Sequence, residues 1–265
     1  MNRRPDRLGM LLLGALPFVI VAALYVTGSA VRLADNPNDK LLPSLATLGD
    51  AVARYAAEPD KRTGDLLLWA DTAASLARLG LGLGLATLAG LVVGVLNGLI
   101  PYARAGLAPF VAALSMIPPM AVLPILFIVF GLEELSKVML IAIGVAPYLM
   151  RDLALKVGEL PAEQLVKAQT LGASTWQVVL RVVLPQVLPR LIDGVRLSLG
   201  PAWLFLIAAE AIAASEGLGY RIFLVRRYLA MDVILPYVAW ITLLAAASDL
   251  ALRALSRRAF PWTRA

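Results

Sequence analysis

The chain has no cysteine and no histidine in its 265 residues. The first absence excludes disulfides, thiolate nucleophiles and cysteine-ligated zinc; the second removes the commonest general base and metal ligand. Charge is scarce as well. Only 16% of residues are Asp, Glu, Lys or Arg, against 60% hydrophobic, and the mean hydropathy is +0.80. A water-soluble domain does not carry that balance, so the composition implies an integral membrane protein. No stretch fits G-x-x-x-x-G-K-[ST] between a strand and a helix, which excludes ATP hydrolysis by this chain alone. A lipid-modifying enzyme would need a reactive cluster at the interface, and neither His, Cys nor a close carboxylate pair supplies one.

What the chain does have is apolar runs: Leu8 to Thr27, Ala73 to Ile100, Leu107 to Phe130, Val138 to Met150, Leu191 to Ala214 and Val233 to Leu255. A helix of about 20 apolar residues crosses a bilayer core, so the expected fold is all-α with about six transmembrane helices. The fourth run is short; its helix is expected to continue past Arg151 or to take in the residues just before it. The first run follows Arg3, Arg4 and Arg7, but exceeds the about 7–15 apolar residues of a cleaved signal and is read as a retained anchor. Basic residues sort the loops. Arg151, Lys156, Lys167, Arg181 and Arg190 gather between the fourth and fifth runs, and Arg253, Arg257, Arg258 and Arg264 follow the sixth. The short loops of the other side hold Lys137, Arg221, Arg226 and Arg227, while the long segment from Gly28 to Asp71 weighs little in this rule. Both termini are therefore expected in the cytoplasm. The net charge of +6 is topological and calls for no nucleic acid.

Gly90, Gly94 and Gly98 recur at spacing four, after Gly80, Gly82 and Gly84, and give the second run a smooth face for close helix approach. The third run carries Pro109, Pro118, Pro119 and Pro124, each deleting a backbone donor. Two readings fit: a broken helix beside a transport path, with Pro118 and Pro119 as its candidates, or a bend that helps the bundle pack. Asp193 with Arg196, and Asp249 with Arg253, have the spacing of helix-surface ion pairs. Glu210, far along the fifth run, is either a path-lining acid or a packed, protonated or paired structural one. Arg221, Arg226 and Arg227 make a basic external rim, which contacts an acidic partner or is a solvated loop.

The most informative stretch is PAEQLVKAQTLGASTWQVVLRVVLP, Pro161 to Pro185. Pro161 suits a first helical position, Glu163 favours the helix dipole, and Gly172 is placed to end the helix in a left-handed conformation. Ser174 then caps a second helix, with Gln177 completing a capping box and Pro185 limiting its far end. Along that helix Trp176, Val179, Leu180, Val183 and Leu184 form an apolar side. A partner or the ends of the spans must cover it, unless the hairpin lies at the membrane interface.

The run Ala168, Gln169, Thr170, Leu171, Gly172, Ala173, Ser174, then Val182, Leu184 and Pro185, resembles the cytoplasmic loop of bacterial ATP-binding-cassette (ABC) importer permeases, with its E-A-A-x-x-x-G and later I-x-L-P pattern. More of the chain is similar to the nitrate, sulfonate and taurine branch: LLPSLATL from Leu41, the Pro-Pro pair with AVLPILFIVFGLEELSK to Lys137, and GVRLSLGPAWLFLIAAEAIAASEGLG to Gly219. Two departures stand out. Val166 and Lys167 replace the loop's glutamate and first alanine, leaving Ala168, with Glu163 one turn earlier; and AEAIAAS at Glu210 lacks the glycine of A-E-M-x-G. The stretch Gly219 to Tyr237 is closer to permeases found with urea or guanidine breakdown.

The resemblance implies a MetI-like type I ABC importer permease bundle with a cytoplasmic coupling hairpin, in a bacterial inner membrane. It divides the chain into an anchor and external segment (1–72), a permease core (73–255) with coupling loop 151–190, and a cytoplasmic tail (256–265). The implied partners are a second copy of the chain, cassette ATPase subunits that carry the ATP and Mg, so that this chain holds no cofactor, and an external solute-binding protein. Glu163, Lys167, Ala168, Gly172, Ser174 and Pro185 would meet the ATPase; Pro118, Pro119 and Glu210 would border the path; Arg221, Arg226 and Arg227 would face the binding protein. The solute would be small and polar or charged, nitrate-, sulfonate- or taurine-like, or guanidine- or urea-like, and a mostly apolar path offers no charge pattern that separates anion from cation. The competing expectation, a secondary transporter or channel driven by an ion gradient, would centre on Glu210, but the chain shows no clear internal repeat.

Overall fold

The computed structural model describes residues 6–37 and 39–264, so Arg3 and Arg4 lie outside the described residues, as do the side chains of Arg7 and Arg264. Apolar sequence without β-branched alternation gives helices throughout: α1 (Arg7–Asp35), α2 (Leu45–Ala57), α3 (Leu67–Leu99), α4 (Pro101–Met116), α5 (Pro119–Phe130), α6 (Glu134–Gly158), α7 (Ala162–Thr170), α8 (Thr175–Val178), α9 (Leu184–Leu197), α10 (Leu199–Ala213), α11 (Leu218–Arg226) and α12 (Met231–Ala259). Four of these, α1, α3, α6 and α12, are long and apolar enough to cross a membrane. The α4–α5 pair, bent by 98°, and the helix from Thr175 through α10, bent by 46°, raise the count to six if each makes one span. The short fourth run grows at both ends, since α6 takes in Glu134 to Lys137 and continues to Gly158.

The residues form two compact groups. Met1–Trp69 and Ile222–Trp240 make the first, in which α1 leaves most of its large apolar side chains exposed, as a lipid-facing helix would. The Tyr25 hydroxyl donates to Pro43 C=O at 2.7 Å and Ser29 Oγ to Leu42 C=O at 2.9 Å, folding the chain back at the end of α1. The Gly28 to Asp71 segment is not an open loop: Ser44 caps α2, whose Tyr55 and Arg54 meet Tyr237 and Asp232. This group is not continuous in sequence, since 222–240 packs with the N-terminal residues.

Ala70–Arg221 and Ile241–Ala265 make the second group. Its spine is α3 against α6. A Cβ on Gly90 would lie 2.6 Å from Leu149 Cβ and one on Gly94 2.8 Å from Leu153 Cβ, while Gly98 meets Val157 and Gly82 meets Ile141 in the same way. Partner numbers rise together at a constant offset, so the two helices run parallel. The chain must return between them, and only the α4–α5 pair lies between, so that pair makes one net crossing. The smooth glycine face is thus filled by the chain's own α6. The 46° bend sits at Ser198, whose hydroxyl donates to Gly194 C=O at 2.9 Å, three residues before Pro201, which has no N–H to offer Leu197 C=O.

Candidate functional site: a hairpin, a charge clamp and a broken span

The hairpin forms by local chemistry. Pro161 stands at the N-cap of α7, one position before the expected first turn, and Glu163 lies in that turn. At the other end Gly172 has φ +86°, its N–H donates to Gln169 C=O at 2.9 Å, and Ala173 N–H donates to Ala168 C=O at 3.0 Å. That pair of bonds is a Schellman motif, and its left-handed residue favours glycine. Ser174 Oγ accepts from Gln177 N–H and Gln177 Oε1 accepts from Ser174 N–H at 2.8 Å, a complete capping box.

Pro185 does not end the second helix. Residues Val179–Val183 take up a π-helical turn, with Leu184 N–H reaching Val179 C=O, and the helix continues through Pro185 into α9 as far as Leu197. The wider turn accommodates a residue that has no N–H and would crowd an α-helical carbonyl; Gln186 Nε2 donates to Val182 C=O at 2.8 Å. Consequently the loop expected over 151–190 is bounded by helices at both ends, with its first residues inside α6 and its last inside α9.

Packing divides the hairpin's apolar side chains. Val178, Val183 and Val187 are buried with Val95, Leu153, Val157 and Leu191, and Ala168, Val179 and Leu184 pack against them. Val166, Leu171, Trp176 and Leu180 remain exposed, Leu171 at 82% and Trp176 at 67%. Glu163, Lys167 and Ser174 also face outward. The spans thus cover one side of the hairpin and leave a second, mixed apolar and charged, bare.

At the opposite end of α3 lies a charge clamp. Glu210 is fully buried: its carboxylate accepts from Arg78 Nη1 at 2.7 Å, Ser75 Oγ at 2.8 Å and Gly219 N–H at 2.8 Å. Arg78 also grips Glu134 through Nη2 at 2.8 Å and through Nε, and donates to Glu216 C=O at 2.8 Å. Lys137, which the loop charges placed outside, is buried beside Glu134 at 2.9 Å. The loop before α11 is tied by Asp71, which accepts from Gly217 N–H at 2.9 Å and from Arg221 Nε at 2.8 Å. Gly217 has φ +124°, and a Cβ there would lie 2.5 Å from Glu210 Cδ. Sequence reasoning missed Arg78, Asp71 and Ser75; their partners lie from 56 to 150 positions away, and polar residues on one face of an apolar helix were the only signal.

Of the rim, Arg221 is committed to Asp71, whereas Arg226 and Arg227 are exposed, with Arg226 over the Phe223 ring at 5.0 Å. The two surface pairs form one chain across helices: Asp193 to Arg196 at 2.7 Å, Arg196 to Asp249 at 2.9 Å and Asp249 to Arg253 at 2.9 Å. Ala213, where the branch pattern has glycine, is helical and tolerates a side chain.

Pro118 caps and Pro119 begins α5, and the missing donors explain the break; Pro109 and Pro124 lie inside their helices. The break opens a cleft of about 500 Å³ lined by Ser115, Ile117, Pro119, Tyr148, Arg151 and Phe205. A second cleft of about 570 Å³, between α4 and the ends of α3 and α6, shares Arg151 and adds Asn97, Arg104 and Glu159.

Broken apolar spans, a capped hairpin at one end and a buried charge clamp at the other are the architecture of a multi-pass membrane permease. Residues 86–261 match the family described as binding-protein-dependent transport system inner membrane component, and the chain belongs to that family. It is a permease subunit of the ABC importer class. The chain is 43% identical over 199 residues to the taurine transport system permease protein TauC of Escherichia coli (strain K12), covering 75% of this chain and 72% of that one. It is 31% identical to the putative aliphatic sulfonates transport permease protein SsuC of Bacillus subtilis (strain 168), over 71% of this chain and 68% of that one. With the nitrate import permease protein NrtB of Synechococcus elongatus it shares 28% identity, over 78% and 75%. Its fold matches a chain of the MetNI methionine ABC transporter, solved in inward-facing conformations, with a TM-score of 0.58 over 74% of this chain and 99% of that one, at 23% identity.

Proposed function

We propose that the chain is the membrane path of an ATP-driven importer for small oxyanions of the taurine, sulfonate and nitrate kind, delivered by an external binding protein. The observation that carries the reading is 43% identity to a taurine permease over three quarters of the chain. The hairpin supports it: a doubly capped turn holds Val166, Leu171, Trp176 and Leu180 bare beside Glu163 and Lys167, which is the surface a cytoplasmic ATPase would cover. Two copies of the chain would sit on two ATPase subunits that hold ATP and Mg, with both termini and the hairpin in the cytoplasm, and Arg226 and Arg227 would be the rim residues left for the binding protein. Motion of the ATPases would pass through Gly172, Ser174 and the continuous helix at Pro185 into α9. Gradient coupling loses its acid, because the Glu210 oxygens are spent on Arg78, Ser75 and Gly219.

The test is co-expression with a candidate cassette ATPase subunit, followed by ATP hydrolysis in nanodiscs with the loaded binding protein. Stimulation by taurine or a sulfonate is the expected result. Failure of the permease to retain an ATPase would sink the importer reading.

A further inference from the structure

A guanidinium within a membrane-spanning helix is costly unless it is paired or faces water. The charges of α6 answer that demand differently. Glu134 and Lys137 pair in the clamp, Asp152 holds Arg190 through two contacts of 2.9 and 2.5 Å, and Lys156 meets Glu159 at 3.2 Å. Arg151 has no ion-pair or hydrogen-bond partner among the described residues, and it is exposed on the wall shared by the two clefts. In the second cleft Arg104 is spent on the carbonyls of Asn97 and Gly98, and Glu159 on Lys156. The Asn97 side chain is buried, and its amide oxygen has no partner. That oxygen is an acceptor and offers an anion nothing, so the uncommitted group where the span breaks is the positive charge of Arg151.

We propose that Arg151 recognises the anionic head of the transported solute, a sulfonate, carboxylate or nitrate-like oxyanion, as it passes the α4–α5 break. The inference rests on the importer reading above. The planar fork of a guanidinium matches two oxygens of such a head, and in a low-dielectric wall its attraction is stronger than in water. Both cleft volumes fall in the range of about 300–1,000 Å³ typical of small-molecule sites. Among the described residues the carboxylates on the cleft walls are Asp152 and Glu159, which Arg190 and Lys156 neutralise, so a cation such as guanidinium meets net repulsion there.

The experiment is saturation-transfer NMR with taurine and ethanesulfonate on the permease–ATPase complex in nanodiscs, without binding protein, for wild type, Arg151→Gln and Arg151→Lys. Wild type is expected to give a transfer signal that nitrate displaces and guanidinium does not. Arg151→Gln should weaken taurine binding by about tenfold or more, and Arg151→Lys, which keeps the charge but not the fork, should restore only part of it. An unchanged signal in Arg151→Gln, no wild-type signal with either sulfonate, or competition by guanidinium equal to that by nitrate overturns the proposal. Uptake into proteoliposomes with the binding protein separates the two levels: wild type importing none of these oxyanions refutes the importer reading, whereas equal taurine moved per ATP in wild type and Arg151→Gln refutes the role of Arg151 alone.

Discussion

Arg78→Leu is the most severe single change that the clamp at the end of α3 offers. It removes the guanidinium from two carboxylates in different surroundings. The Glu134 side chain is 62% exposed and is rehydrated at little cost, whereas Glu210 is wholly buried and keeps only Ser75 Oγ and Gly219 N–H. Stranding one member of a buried ion pair costs about 3–5 kcal/mol. At about 2–4 °C per kcal/mol for a chain of this size class, the midpoint of thermal unfolding should fall by roughly 6–20 °C. Glu210→Gln should cost less, because Arg78 keeps Glu134 and the Glu216 carbonyl. The double change Arg78→Leu with Glu210→Leu should recover part of the loss, since no buried charge then remains unpaired. The assay is thermal unfolding of the detergent-solubilised permease, read by loss of the monodisperse peak in size exclusion. A midpoint lowered by less than about 2 °C in Arg78→Leu, or a double variant no better than the single one, would refute the buried-pair reasoning.

Gly172→Val should abolish the left-handed turn, so that the ATPase no longer co-purifies while membrane insertion persists; retained co-purification would count against the hairpin as the docking element. Ser174→Ala should cost about 1 kcal/mol of local helix stability and weaken ATPase retention, with Ser174→Asp close to wild type by pull-down. Gly90→Leu should lower the yield of folded protein sharply, by overpacking worth at least about 1–3 kcal/mol, while Gly84→Leu, where an added Cβ meets nothing within 4 Å, should be tolerated in the same expression assay.

The hairpin was legible because its determinants are local: a proline, a left-handed glycine and a serine three residues before a glutamine decide the backbone within one turn of themselves. Pro185 misled for the same reason. Its effect on an α-helix is a stop, but a π turn upstream absorbs it, and nothing in the run Val179–Val183 announces that turn. The glycine spacing correctly signalled close approach and said nothing of the partner, since Leu149, Leu153 and Val157 are ordinary residues of a later helix. Glu210 was visible as an oddity, yet whether it faced water or Arg78 depended on a residue 132 positions away. Arg151 was read as one of several basic residues that orient the chain; that it alone among the charges of α6 lacks a partner among the described residues is a tertiary fact.

The parallel seam between α3 and α6 also sets how the two can shift. Leu149, Leu153 and Val157 sit like teeth in successive gaps at Gly90, Gly94 and Gly98, one gap every four residues, or about 6 Å of axis. Any smaller slide would make all of the teeth climb the ridges between the gaps together. Axial motion is therefore stepwise, a full notch or none, and the pair travels as one strut. Whatever displacement reaches α6 from the hairpin must then be taken up by bending elsewhere, at the Ile117–Pro118 elbow or at Ser198, where the backbone is already broken.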